Sequence, residues 1–111
     1  MTNPKFQVFK SGYNSQYYYH LQSRNGEKIL SGEGYTTKQA CLNGIASVKA
    51  NAIYDSRYDR RNGFSNYTFN LKASNGEIIG RSENYTTSAA RENGIEAVKR
   101  DAPNASTEDL T

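Results

Sequence analysis

The sequence predicts an α+β fold built as two fused repeats around one shared core. Three observations carry that reading. The phrase "NGIASVKANA" at residues 43–52 returns as "NGIEAVKRDA" at residues 93–102. A stretch that alternates polar and apolar residues precedes each copy and runs into Asn-Gly. A run of apolar residues at near-helical spacing then closes each copy.

The duplication is long and ungapped. Residues 17–52 set against 67–102 are identical at seventeen of thirty-six positions, among them Tyr17/Tyr67, Leu21/Leu71, Ile29/Ile79 and Tyr35/Tyr85. The internal repeats therefore run over about 5–55 and 56–103, within a single domain spanning 1–111. A unit of about fifty residues is marginal on its own, because a core that small rarely outweighs the chain entropy. The 35% apolar content, rich in tyrosine, makes sharing the core the natural solution.

Each element follows from local pattern. "KFQVFK" (5–10) reads as a strand, and "SRYDRRN" (56–62) as its more polar counterpart with Tyr58 as the only apolar anchor. "YYYHLQS" and "YTFNLKA" alternate with period two, placing Tyr17, Tyr19 and Leu21 on one face and Tyr18, His20 and Gln22 on the other. Asn25-Gly26 and Asn75-Gly76 predict hairpins with type I′ turns. Thr36 or Thr37, and Thr86 or Thr87, then offer helix caps; with Thr36 as the cap, Gln39 completes a capping box. Ala40, Ile45, Val48 and Ala52 form the inward stripe of the first helix, and Ala90, Ile95, Val98 and Ala102 that of the second. Gly44 and Gly94 within those helices mark a close approach of helix backbone to a neighbour. "NASTEDLT" (104–111) has no periodicity and reads as a mobile acidic tail.

The doubled pattern of strand, Asn-Gly-Glu, strand, Tyr-Thr-Thr and a helix with N-G-I-x-x-V-K resembles the YegP-like proteins, a small bacterial tandem-repeat family of unknown function. The resemblance covers residues 5–102. It implies β-β-β-α-β repeats forming one mainly antiparallel sheet, two helices on one face, and terminal strands exchanged between repeats. It supplies no catalytic residues.

Composition excludes more than it assigns. The net charge of +3 is mild, and the first half carries the excess of basic residues. There is one His and one Cys, with no metal-ligand spacing, no phosphate-loop motif and no dinucleotide fingerprint. Cys41, aligned with Arg91, is placed near the surface. Glu33 and Glu83 are repeated carboxylates expected to be structural, and Asn43/Asn93 and Lys49/Lys99 to give the helices polar outer faces. No catalytic constellation, metal site or cofactor is expected, and no span apolar enough for a membrane is present. The chain reads as a cytoplasmic, monomeric, non-catalytic binding module with internal pseudo-twofold symmetry. The sequence leaves the function and the partner unknown; the first candidate is another protein, held at a sheet edge or between the helices. The alternative is single-stranded nucleic acid on the exposed sheet face, held by Tyr18, His20 and Lys72, with Arg57, Arg60 and Arg61 on the linking strand.

Overall fold

A computed structural model describes residues 3–111. Seven strands form one mixed sheet: β1 (Lys5–Lys10), β2 (Tyr17–Gln22), β3 (Lys28–Ser31), β4 (Tyr58–Gly63), β5 (Asn66–Lys72), β6 (Ile78–Arg81) and β7 (Ser106–Asp109). Their spatial order is β4-β5-β6-β3-β2-β1-β7, so two three-stranded antiparallel units meet at β3 and β6. Helix α1 (Lys38–Asn51) follows β3, and α2 (Ser88–Asp101) follows β6. Both helices press their apolar stripes into one core cluster that draws on both repeats.

The hairpins form where the sequence places them, but with a different turn. In these two turns the glycines Gly26 and Gly76 have positive φ, both +88°, but the asparagines before them do not, whereas a type I′ turn needs a positive φ at both. Gly26 N–H donates to the Ser23 carbonyl at 2.9 Å, and the Asn25 side chain accepts from Glu27 N–H at 3.2 Å. Asparagine thus spends its amide oxygen on the turn instead of adopting a left-handed backbone. The strand register shifts beside each turn, with Ile29 and Ile79 as the extra residues. That bulge is why Ile29 and Leu30, adjacent in sequence, are both buried.

The caps are Thr37 and Thr87, each accepting from the N–H three residues on at 3.0 Å. Thr36 is therefore not the cap, and Gln39 donates to Asn43 within the helix instead of completing a capping box. The close approach expected at Gly44 and Gly94 is real. A Cβ at either position would run into the hydroxyl end of Tyr35 or Tyr85, which the two isolated bridges Tyr17↔Tyr35 and Tyr67↔Tyr85 hold under the helices.

The C-terminal segment is not a mobile tail. After a 3-10 turn at Ala102–Asn104, β7 pairs parallel with β1 over Lys5↔Ser106 to Val8↔Asp109. Glu108 accepts from Gln7 and pairs with Lys5, while Asp109 pairs with Lys38. Backbone pairing and opposite charge order a segment whose exposed side chains leave no apolar alternation to read. This is the exchanged terminal strand that the family resemblance implies.

The centre of the sheet is packed unequally. Leu30 fills the space over Gly80, where a Cβ would stand 2.7 Å from the leucine methyls. The Tyr19 ring covers Gly32, and its hydroxyl donates to the Ile79 carbonyl in the other repeat. The counterparts of Tyr19 and Leu30 are Phe69 and Gly80. Leu30 of the first repeat therefore fills space that Gly80 of the second leaves open, and Tyr19 reaches across the boundary by a hydrogen bond that Phe69 cannot return.

Candidate functional site

The six residues singled out from the sequence do not form one face. Tyr18 and His20 lie on the helix-free face of β2, where Phe9 stacks on Tyr18 at 5.9 Å and tilts against His20 at 5.4 Å. His20 Nε2 lies 2.6 Å from Gln7 Oε1, and burial lowers the imidazole's pKa. Lys72 shares that face but sits on β5, three strand spacings from β2, roughly 14 Å away. There Asp59 holds both Lys72 (3.5 Å) and Arg61 (2.9 Å). Arg60 points the other way, toward the helices, clamped by Asp55 and Glu92. It shares parity with the buried Tyr58, which the outward-face expectation overlooked. Arg57 is not on the linking strand as expected but ends a 3-10 turn at Asp55–Arg57, where it donates to Asn51 and lies over the Tyr54 ring.

Among the repeated residues, Glu33, Lys49 and Lys99 have structural partners. Glu33 pairs with Arg81 across the repeat boundary at 2.9 Å, both half-exposed. Lys49 stands over the Phe6 ring at 5.8 Å and Lys99 over the Tyr58 ring at 5.6 Å, so each lysine covers the aromatic anchor of its outer strand. Cys41 is fully buried, not near the surface, and burial pushes its thiol up to about 11. Arg91 occupies the matching site because its stem packs inside while its guanidinium reaches Asn62 and the Arg61 carbonyl on β4. Among the described residues no group of three or more His, Cys, Asp or Glu is placed to hold a metal, and no helix is long and apolar enough to span a membrane.

Two features stand out beyond those expectations. The first is the outer edge of β4. Phe6 faces Leu21 and Tyr58 faces Leu71, so β4 is the counterpart of β1 with an offset of two residues. The offset arises because six residues separate Lys10 from its partner Tyr17, but four separate Asn62 from the corresponding Tyr67, where the hairpin closes one pair later at Gly63↔Asn66. β1 carries β7 on its outer side, with Leu110 N–H donating to the Val8 carbonyl at 2.8 Å. Arg60 is the counterpart of Val8, facing Phe69 as Val8 faces Tyr19. Among the described residues no strand lies beyond β4. Fusion explains the vacancy: the segment after α1 that would be the exchanged strand is itself β4.

The second feature is a clasp between repeats. Asp101, whose side chain is wholly buried at the end of α2, accepts from Arg24 of the β2–β3 turn through Nε at 2.9 Å, Nη2 at 2.7 Å and the backbone N–H at 3.2 Å. Arg100 donates to the same carboxylate from Nε at 2.9 Å and Nη2 at 3.1 Å. Burial alone would raise the Asp101 pKa, but these donors outweigh it and hold the carboxyl below its ordinary range. The sequence offered no signal here, since the matching positions are Ser74, Ala50 and Asn51.

Comparison with known proteins agrees with this architecture. The model of a domain of unknown function, DUF1508, matches residues 13–59 and again 65–109. The UPF0339 protein YegP of Yersinia pestis is 42% identical over 57 residues, and a UPF0339 protein in the ptx operon 5′ region of Stutzerimonas stutzeri is 48% identical over 46. These matches span 51% and 41% of this chain and the same shares of those relatives, about one repeat in each case. Two solution structures cover nearly everything: a UPF0339 protein from Shewanella oneidensis (39% identity, TM-score 0.91, 99% of this chain and 93% of that one) and YegP from E. coli (38%, 0.91, 100% and 96%).

Proposed function

The chain belongs to the DUF1508 family, carrying its domain of unknown function twice, and we propose that it is a non-catalytic interaction module binding an extended segment of another protein along β4. The observation that carries this reading is the unequal pair of sheet edges. One edge-strand position, beside β1, is filled by β7; its counterpart beside β4 carries no strand among the described residues. Main-chain groups at such an edge give affinity to an added strand, and the flanking side chains select among sequences. Asp59, Arg60 and Arg61 put charge along β4, which discourages indiscriminate pairing while leaving a complementary strand able to dock.

The experiment is selection of a displayed random-peptide library on the protein, with counter-selection against Arg60→Pro. Proline at this edge position removes an outward N–H without breaking the ladder to β5. Peptides that bind the native chain with amide shifts confined to 58–63, and that the variant does not retain, support the reading. Binders indifferent to the substitution would count against it.

A second reading, single-stranded nucleic acid on the helix-free face, is favoured by the Phe9–Tyr18 stack with His20 beside it. Its basic residues are displaced or already paired with carboxylates. Titration with mixed oligonucleotides at low salt separates the two, because this reading requires salt-sensitive shifts at Tyr18 and His20.

A further inference from the structure

We propose that the cleft between the β2–β3 turn and the end of α2 binds a small molecule through a phosphate group, gripped by Arg24 and Arg100. The cavity there is about 320 Å³ and is lined by Asn3, Arg24, Arg100, Asp101, Asn104 and Ser106. Two guanidinium groups converge on the single carboxylate of Asp101, so one positive charge is left uncompensated within the clasp. One arginine is enough to neutralise a buried aspartate; the second is surplus to a purely structural clasp. Each guanidinium presents only its Nε and Nη2 to Asp101. Nη1 of each has no hydrogen-bond partner among the described residues, while both side chains are near half exposed, at 42% and 49%.

Asp101 fixes the orientation of both forks, a preorganisation that a flexible surface arginine lacks. Planar forks with spare N–H groups suit phosphate oxygens. The neutral amides of Asn3 and Asn104 and the hydroxyl of Ser106 add donors with no opposing charge. Arg100 also borders a neighbouring cavity of about 170 Å³ whose walls mix Ile29, Tyr85 and Ala97 with the polar Asn25, Asn93 and the acidic Glu27. A ligand that leads with its phosphate thus has room for a small organic body on the far side of Arg100. The pseudo-symmetric counterpart, with Ser74, Ala50 and Asn51, has no such arrangement, so the cleft is not a by-product of duplication.

The test is a titration of ¹⁵N-labelled protein with inorganic phosphate at constant ionic strength, with chloride as the reference anion. Saturating shifts are expected at the amides of Arg24, Asn104 and Ser106. Arg100→Gln leaves Asp101 paired with Arg24, so the fold persists, yet it should weaken phosphate binding about tenfold or more. Ser106→Ala, exposed and outside the clasp, should weaken it measurably with an unchanged spectrum elsewhere. Absence of saturation into the millimolar range, or an Arg100→Gln variant that responds like the native chain, would overturn the proposal.

Discussion

Leu30 lies against the bare backbone of Gly80, and the two occupy corresponding positions of the two repeats. The same alignment that makes the halves look alike thus records where they cannot be alike. Two leucines would collide at the centre of the sheet, and two glycines would leave it hollow.

Gly80→Ala should destabilise the protein by about 1–3 kcal/mol, the usual cost of overpacking a filled core. Leu30→Val in the same chain should recover part of that loss. Urea unfolding of both single variants and the double variant reads the coupling directly, since contacting residues depart from additivity.

Tyr19→Phe copies into the first repeat what Phe69 provides in the second. The Ile79 carbonyl then loses its donor from the Tyr19 hydroxyl. A loss of about 1–3 kcal/mol is expected in urea midpoints. Phe69→Tyr has no such bond to restore and should not compensate.

Asp101→Asn should cost about 1–3 kcal/mol at neutral pH, less than a fully buried pair because both arginines retain water. The pH dependence has a definite sign. The carboxyl's folded pKa lies below its unfolded value near 4, so its contribution is complete above about pH 4 and fades as pH falls. The gap between native and variant stability should narrow over that acid range. Asp55, held at about 2 by Arg60 and Lys99, makes the native chain itself lose stability toward pH 2.

Cys41 should resist thiol reagents in the folded protein. Its side chain is fully buried and burial pushes the thiol up to about 11. Labelling under native conditions should therefore track opening of the fold, rising steeply once denaturant populates the unfolded chain.

The period-two runs ending in Tyr19-x-Leu21 and Phe69-x-Leu71 made the hairpins and their buried faces readable, because strand parity is a local property. The turn type was not readable. Asn-Gly is compatible with more than one backbone, and the choice rests on whether the Asn25 amide bonds to Glu27 N–H. β7 was hidden because its order comes from β1 and from Lys5 and Lys38, residues about a hundred and about seventy positions away. Arg91 misled through its charge: alignment with Cys41 indicated a surface site, whereas a long stem lets the group leave a buried position. The scattering of Arg57, Arg60 and Arg61 has a similar cause. Arg60 and Arg61 are neighbours along a strand and take opposite faces, while Arg57 belongs to the 3-10 turn before it, so three nearby arginines do not make one patch.

The central claim is that β4 keeps an open edge where β1 has β7. Amide hydrogen exchange on the ¹⁵N-labelled native chain tests it most directly, by comparing Val8 with its counterpart Arg60. Protection at Val8 with fast exchange at Arg60 is the predicted result, and an added peptide that docks along β4 should then slow Arg60. Equal protection of both amides in the free protein would mean that the edge is already covered, and would contradict the account.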